Sequence, residues 1–319
     1  MDALVKTAPG NGNVELQQRE RPTIGETEVL LEIAYCGICG SDLHIFDGVH
    51  DCTPPVTLGH EFSGTVIEAG DEVSTLHVGD RAGFRRTWSP FPGVDADGGF
   101  ARYMKAPAEH LWAVPDALSF EEATQFESVR PPMTIVRDMA DLQAGEKVVV
   151  TGPGPIGLLV TNVASMDGAG HITVLGTDAD ATTRLPAALE LGADKTATFC
   201  DTALTSIEDH PPDVWFETSG AAPAIEAAAD YVASGGRIVV SGMGSGPYNL
   251  DMRRVARRNI TIRGRWGGKN EYVEPAADAM IAGDLNVSTI ISDILPLADW
   301  ETGFELARSA QGIKVLLEP

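Results

Sequence analysis

Residues 147–166 read KVVVTGPGPIGLLVTNVASM. A valine-rich run of strand length meets a turn of glycine and proline, and an apolar-rich stretch with helical spacing follows. The turn, Gly152-Pro153-Gly154-Pro155-Ile156-Gly157, has the spacing G-x-G-x-x-G, directly after the strand and directly before the helix. Each glycine has a physical task there. The first permits the tight turn, the second lets a pyrophosphate approach the backbone, and the third lets the helix pack close to the strand. The phosphates then meet unpaired N–H groups and the positive dipole end of a helix that Pro155 and Ile156 open. An ordinary Gly/Pro loop would not need this spacing between a strand and a helix, so the segment predicts the dinucleotide turn of a Rossmann unit.

Downstream, HITVLGT (171–177), TATF (196–199), DVWFETSG (213–220), GRIVVSG (236–242) and NITIRGRW (259–266) read as strands. Helices are predicted at ATTRLPAALELG (181–192) and APAIEAAADYV (222–232). Strand and helix in alternation signal βαβ units and, with KVVVTG, a doubly wound parallel sheet. Gly242, closing GRIVVSG, joins the expected cofactor-binding set. Asp178 lies 21 positions past Gly157, where a carboxylate would hold the ribose hydroxyls of NAD. A one-residue insertion in the helix would instead put Gly176 at the strand end and leave space for the 2′-phosphate of NADP. Arg184 is the nearest cation to such a phosphate, while Asp178 and Asp180 would repel it. The balance favours NAD, with NADP left open.

Upstream, to about residue 115, the pattern changes to short β-type runs divided by turn residues: EVLLEIAY, GTVIEAG, RAGF, ARYMKAP and HLWAVP. They suggest a closed or rolled all-β unit. After NITIRGRW come one helix, YVEPAADAMIAG (272–283), and a final strand, GIKVLLEP (312–319), whose expected home is the N-terminal unit. The expected division is therefore 1–128 with 267–319 for a discontinuous β-type domain, and 129–266 for the cofactor domain. A chain of 319 residues is long enough for two cores.

The formal charge is −23, with 46 acidic against 23 basic residues. That balance excludes a nucleic-acid partner, which draws on concentrated positive charge. Self-repulsion of this size is screened by salt, and the acidic excess resembles that of proteins from salt-loving organisms; an acidic chain kept soluble by its charge is the plainer reading. No apolar run reaches the roughly 18 residues of a membrane span, and the N-terminus MDALVKTAPGNG lacks the pattern of a secretory signal, so a cytoplasmic protein without a membrane partner is expected. Four cysteines, Cys36, Cys39, Cys52 and Cys200, do not make a disulfide scaffold in a chain of this length.

Two segments concentrate chemistry: CGICGSDLH (36–44) and GHEFSGTVIEAGDEV (59–73). Cys36-x-x-Cys39 has the spacing of a redox pair, but no thioredoxin-like strand and helix surround it. His60 alone would be an ordinary core histidine; with a thiol and carboxylates nearby in sequence it is a metal-ligand candidate.

GHE, two residues, Gly64, five residues, Gly70, two residues, Val73 is the pattern of the zinc-containing medium-chain alcohol dehydrogenases, and CGSDLH is similar to that family's first zinc-ligand segment. The resemblance runs through the Rossmann turn to IKVLLEP and points to the sorbitol (L-iditol) and threonine dehydrogenase branch. It implies a GroES-like β-barrel catalytic domain joined to the Rossmann domain. Cys39, not Cys36, would supply the thiolate, and His60, 21 residues later, the imidazole. Glu61 and Glu127 both match the branch's glutamate, one binding directly and the other through water. Ser41 and His44 match the family's proton relay, and Asp42 the carboxylate that orients the ligand histidine. The implied reaction moves hydride from a secondary alcohol or polyol to NAD or NADP, with threonine or glucose as alternative substrates, in a homodimer or homotetramer. A cofactor-binding sensor without turnover is the reading from another class.

Two departures stand out. Many family members carry a lobe with four cysteines for a structural zinc, whereas RRTWSPFPGVDADGGF (85–100) has none, so a single catalytic ion is expected. Glu127 is followed by Ser-Val-Arg-Pro-Pro, and Pro131-Pro132 is expected to break a helix there. Arg253, Arg254, Arg257 and Arg258 have the spacing of a solvated helix face.

Overall fold

The computed structural model describes every residue except 245. The chain divides into two compact units, 1–127 with 291–319, and 128–290.

The first unit opens with β1 (Asp2–Lys6), β2 (Val14–Gln18) and β3 (Glu28–Gly37), followed by helix α1 (Gly40–Phe46). Then come β4 (Val56–Thr57), β5 (Glu61–Ala69), β6 (Arg81–Phe84), β7 (Tyr103–Pro107), β8 (Leu111–Ala113) and the short helix α2 (Phe120–Ala123). β1 pairs with β2 and β4 in a small sheet, while β3, β5, β6 and β8 lie side by side in a larger one, with β7 also on β3. Side chains of both sheets, among them Leu4, Val56, Phe62 and Phe84, share one apolar core. Burying each contributes roughly 1.5–3 kcal/mol. This is the rolled β unit predicted from the short alternating runs.

The second unit begins with α3 (Arg130–Met133), continued by a π-helical turn over Thr134–Met139. The helical path that starts at Phe120 is interrupted at 127–129. Pro131 and Pro132 have no N–H to offer the carbonyls four residues back, and they sit instead in the first turn of α3, where no such bond is needed. Next come β9 (Lys147–Thr151), α4 (Pro155–Met166), β10 (His171–Gly176), α5 (Arg184–Glu190), β11 (Lys195–Thr198), α6 (Asp201–Glu208) and β12 (Val214–Glu217). The unit closes with α7 (Ala222–Tyr231), β13 (Arg237–Val240), α8 (Met252–Arg257), β14 (Thr261–Gly264) and α9 (Val273–Ala282). All six predicted strands form one parallel sheet in the order β11-β10-β9-β12-β13-β14, the doubly wound arrangement.

The predicted return at residue 267 is corrected: the segment up to Ile290 belongs to the second unit. Val273, Ala276, Ala277 and Met280 of α9 are buried. Asn162, on α4, donates to the Asp284 carbonyl at 3.3 Å and accepts the Asn286 N–H at 2.8 Å. Arg130 donates to Asn270 Oδ1 at 3.1 Å. The chain re-enters the first unit as β15 (Ile291–Pro296), α10 (Trp300–Arg308) and β16 (Lys314–Glu318). β16 pairs with β15 and with β3. α5 is also shorter than predicted: 181–183 lie in turns, and Thr183, with φ −122° and ψ −61°, is outside the helical region.

Candidate metal centre and cofactor turn

Cys39 stands at the N-terminus of α1, where β3 ends, with extended backbone angles. Asp42, one turn into the helix and fully buried, accepts the Cys39 N–H at 2.9 Å. α1 is held from the other side by α10: Phe46 lies 6.2 Å from Trp300 and 6.0 Å from Phe304, and Arg308 bonds Asp47 at 3.0 Å.

His60 enters from the turn before β5. Gly59 has φ +91°, and a Cβ there would lie 2.7 Å from Cys36 Sγ and 2.8 Å from Phe100, so only glycine brings the chain round at this point. Cys36 is buried in the core and is not in the group of possible ligand atoms. The ligand atoms of Cys39, His60 and Glu61 all lie within 4.8 Å of one another, and among the described residues this is the single such group of three. Glu127 is not in it. It is half-buried, yet close enough that its carboxylate favours the charged form of His60.

The electrostatics fit a cation. Burial opposes charge on His60, but Asp42, Cys39 and Glu127 outweigh it and hold the imidazole pKa up at about 10. Nδ1 of His60 and Oδ1 of Asp42 face each other at 3.8 Å, and neither has a hydrogen-bond partner among the described residues. Nε2 faces Ser41 Oγ at 3.3 Å. A buried imidazole ringed by anions, beside a thiol, has the sulfur, nitrogen and oxygen donors that suit zinc. His44 is half-buried, one turn along α1 from Ser41, and the two share no hydrogen bond among the described residues.

The sequence reading missed Lys314. Its Nζ lies 2.5 Å from Glu61 Oε2 and donates to the Ile38 carbonyl at 3.2 Å, with both side chains of the ion pair almost wholly buried. Burial pushes the lysine toward neutrality, and Glu61 and Cys39 more than restore its charge. The segment 85–100, where a cysteine lobe would lie, is packed with aromatic side chains instead. Trp88 stacks on Phe84 at 5.3 Å and on His110 at 5.2 Å, while Phe91 sits 5.4 Å from His60.

In the second unit the turn after β9 has the geometry that its sequence demands. Gly152 has φ +89°, and a Cβ there would lie 2.6 Å from the Ser219 backbone N. A Cβ on Gly157 would lie 2.0 Å from the Gly152 carbonyl oxygen. Around Gly154, the N-cap of α4, there is no atom within 4 Å of the Cβ position. This open cradle, with Pro155 and Ile156 starting the helix beyond it, fits a pyrophosphate. Gly242 brings the chain after β13 against Gly220, whose N would be 2.1 Å from an added Cβ. Glu217, buried beneath, accepts the N–H groups of Ser219 at 2.8 Å and Gly220 at 3.0 Å; the sequence reading missed that support.

Asp178 is exposed, just past the end of β10. Asp180 instead is buried and turned inward, accepting Thr177 N–H and Oγ1–H at 2.7 Å each. Arg184 lies 3.5 Å from Asp180. A Cβ on Gly176 would press on Pro153 at 2.9 Å, which ties the end of β10 to the cofactor turn. The arginine run is mostly exposed, but Arg254 pairs with Asp230, and Arg258 donates to the carbonyls of Ala229, Asp230 and Val232 at the end of α7.

Residues 25–116 match the sequence profile of the alcohol dehydrogenase GroES-like domain, and residues 155–282 that of the zinc-binding dehydrogenases. The chain is 31% identical to a sorbitol dehydrogenase of Halalkalibacterium halodurans, over 100% of this chain and 99% of that one. It is 29% identical to an L-threonine 3-dehydrogenase of Bacillus licheniformis, again over 100% and 99%. Among solved structures, 2R,3R-butanediol dehydrogenase from Bacillus subtilis superposes with a TM-score of 0.88 at 27% identity, over 100% of this chain and 99% of that one. Motifs, fold and relatives agree: the chain belongs to the zinc-dependent medium-chain alcohol dehydrogenases, in the sorbitol and threonine dehydrogenase branch, and is an oxidoreductase of that kind.

Proposed function

We propose that the chain oxidises a secondary alcohol of a polyol reversibly, passing the hydride to NAD, with Cys39, His60 and Glu61 holding a single zinc and Glu127 facing the ion through water. The observation that carries this reading is the buried cluster of one sulfur, one nitrogen and one oxygen donor within 4.8 Å. A zinc ion bound there supplies Lewis acidity that lowers the pKa of an alcohol oxygen. Ser41, 3.3 Å from His60, takes the hydroxyl proton and passes it outward toward His44. Asp42 orients His60 through Nδ1. In the cofactor unit the turn from Gly152 to Gly157 fixes the pyrophosphate, Gly242 shapes the neighbouring loop, and Asp178 holds the ribose.

Asp178 and Asp180 both disfavour a 2′-phosphate, which supports NAD over NADP. The relatives named for sorbitol and threonine leave two substrate classes in contention. A panel of sorbitol, other polyols, threonine and glucose, read by reduction of NAD and of NADP, tests the assignment. Highest kcat/KM on a polyol with NAD supports it; highest kcat/KM on threonine or glucose overturns the polyol assignment, and cofactor binding with no oxidation of any member would leave a sensor.

Homodimers or homotetramers are part of this proposal. β14 ends the sheet, and Trp266, two residues beyond it, is 72% exposed; an open strand edge beside an exposed aromatic favours self-association. Among the described residues no helix is long and apolar enough to cross a membrane, which accords with a cytoplasmic location, and the charge of −23 supports a salt-rich habitat.

A further inference from the structure

A cavity of about 420 Å³ lies in the second unit between the sheet and α6. Val149, Leu175 and Ala197, from three adjacent strands, form one apolar wall, and Ala203 and Ile207 of α6 face them. Its rim is basic. Lys147, His171 and Lys195 are the first residues of β9, β10 and β11, and His210 follows the end of α6. No aspartate or glutamate is among its described lining residues.

The lysines make this rim unusual in a chain with twice as many acidic as basic residues. Lys105 pairs with Glu28, Lys269 with Asp138 and Glu271, and Lys314 with Glu61. Lys6 is buried on the carbonyls of Gly10 and Gly12. The remaining two, Lys147 and Lys195, have no carboxylate partner among the described residues, and both line this cavity. Among the described residues Lys195 donates to the Ser206 hydroxyl, at 3.0 Å. Two neighbouring acids are turned to the backbone: Asp213 accepts the Lys147 N–H at 2.9 Å, and Asp194, next to Lys195 in sequence, accepts the Ile172 N–H at 2.7 Å, with His171 beside it at 3.6 Å.

We propose that this cavity binds an amphipathic organic anion, its apolar body against the strands and α6 and its carboxylate between Lys147 and Lys195. The volume suits a small molecule, and an anion there would give both ammonium groups the charge-assisted partner they lack. The site lies at the amino edge of the strands. The cofactor turn lies at the carboxyl edge, roughly 13 Å along β9 at about 3.3 Å per residue, so the two are separate.

The test is calorimetric titration of the full chain, saturated with NAD so that the nucleotide site is filled, with octanoate, octanol and octylamine. Octanoate is expected to bind at least about tenfold more tightly than octylamine, and Lys147→Ala with Lys195→Ala to weaken it by about tenfold or more. Ala203→Trp, which fills the cavity, is expected to abolish binding. NAD affinity should be unchanged in the double lysine variant. No octanoate binding at millimolar concentration, equal binding of octanoate and octylamine, or octanoate binding undiminished in the double lysine variant would each overturn the proposal.

Discussion

Lys314 Nζ and Glu61 Oε2 lie 2.5 Å apart, joined across 253 residues of sequence, with 2% and 1% of their side chains exposed. The last strand of the chain therefore supplies the counter-charge to a carboxylate of the metal centre. Removing one partner of such a pair leaves an uncompensated buried charge, which costs about 3–5 kcal/mol. Lys314→Met is expected to destabilise the metal-free protein by that order in denaturant unfolding, and the double variant Lys314→Met with Glu61→Gln to recover much of the loss. Equal destabilisation by the single and double variants would show that an uncompensated buried charge is not the cause of the loss.

The imidazole of His60 leads to a pH prediction for the metal-free protein. Its folded pKa is raised from 6.5 to about 10, so the protonated form is favoured by folding. The contribution is fully present below pH 6.5 and is lost as pH rises through about 10. Unfolding free energy of the metal-free chain should therefore fall between these limits, and His60→Gln should flatten the curve. With zinc bound the proton is displaced, and this part of the pH dependence should vanish. An unfolding profile unchanged by His60→Gln would contradict the electrostatic reading.

Gly154 and Gly157 separate cofactor binding from folding. Gly154→Ala adds a methyl where no atom lies within 4 Å, on the face the pyrophosphate needs. Its Tm should match the parent while NAD affinity falls by about tenfold or more, a change of about 1.4 kcal/mol. Gly157→Ala would press on the Gly152 carbonyl, 2.0 Å from the added carbon, and should lower Tm by about 2–4 °C for each kcal/mol of strain. Thermal unfolding and NAD titration of the two variants check the contrast.

Asp178 and Asp180 should also behave differently. Asp178 is exposed and free to meet the ribose, so Asp178→Ser is expected to shift the ratio of kcat/KM for NAD over NADP toward NADP by about tenfold, or roughly 1.4 kcal/mol. Asp180 caps Thr177, and Asp180→Ala should cost about 1 kcal/mol of stability. An unchanged cofactor ratio in Asp178→Ser would count against its assigned role.

Much of this was visible in the sequence where structure is local. The six strands of the parallel sheet are short apolar runs between turn residues, and the glycine spacing at 152–157 identifies its own geometry. The break before Pro131 follows from two missing N–H groups. What escaped depends on distant partners. Nothing local marks Lys314 as the partner of Glu61. The apolar face of α9 does not say which unit will bury it; Asn162, on α4, holds the chain at Asp284 and Asn286 from more than a hundred residues away. α6 was missed because its buried positions are only Leu204 and Ile207, too few to show a helical period. Glu127 entered through a family pattern, and the structure sets it outside the tight group of three ligand atoms.

The most direct measurement is the zinc content of the purified chain, in wild type, Cys39→Ala and Glu127→Gln, alongside NAD reduction by sorbitol. About one zinc per chain is expected in wild type, its loss with activity in Cys39→Ala, and retained zinc with reduced activity in Glu127→Gln, as for a site with three protein ligands and one open position. A wild-type chain that binds NAD but no zinc, or a Cys39→Ala variant that keeps both zinc and turnover, would contradict this expectation.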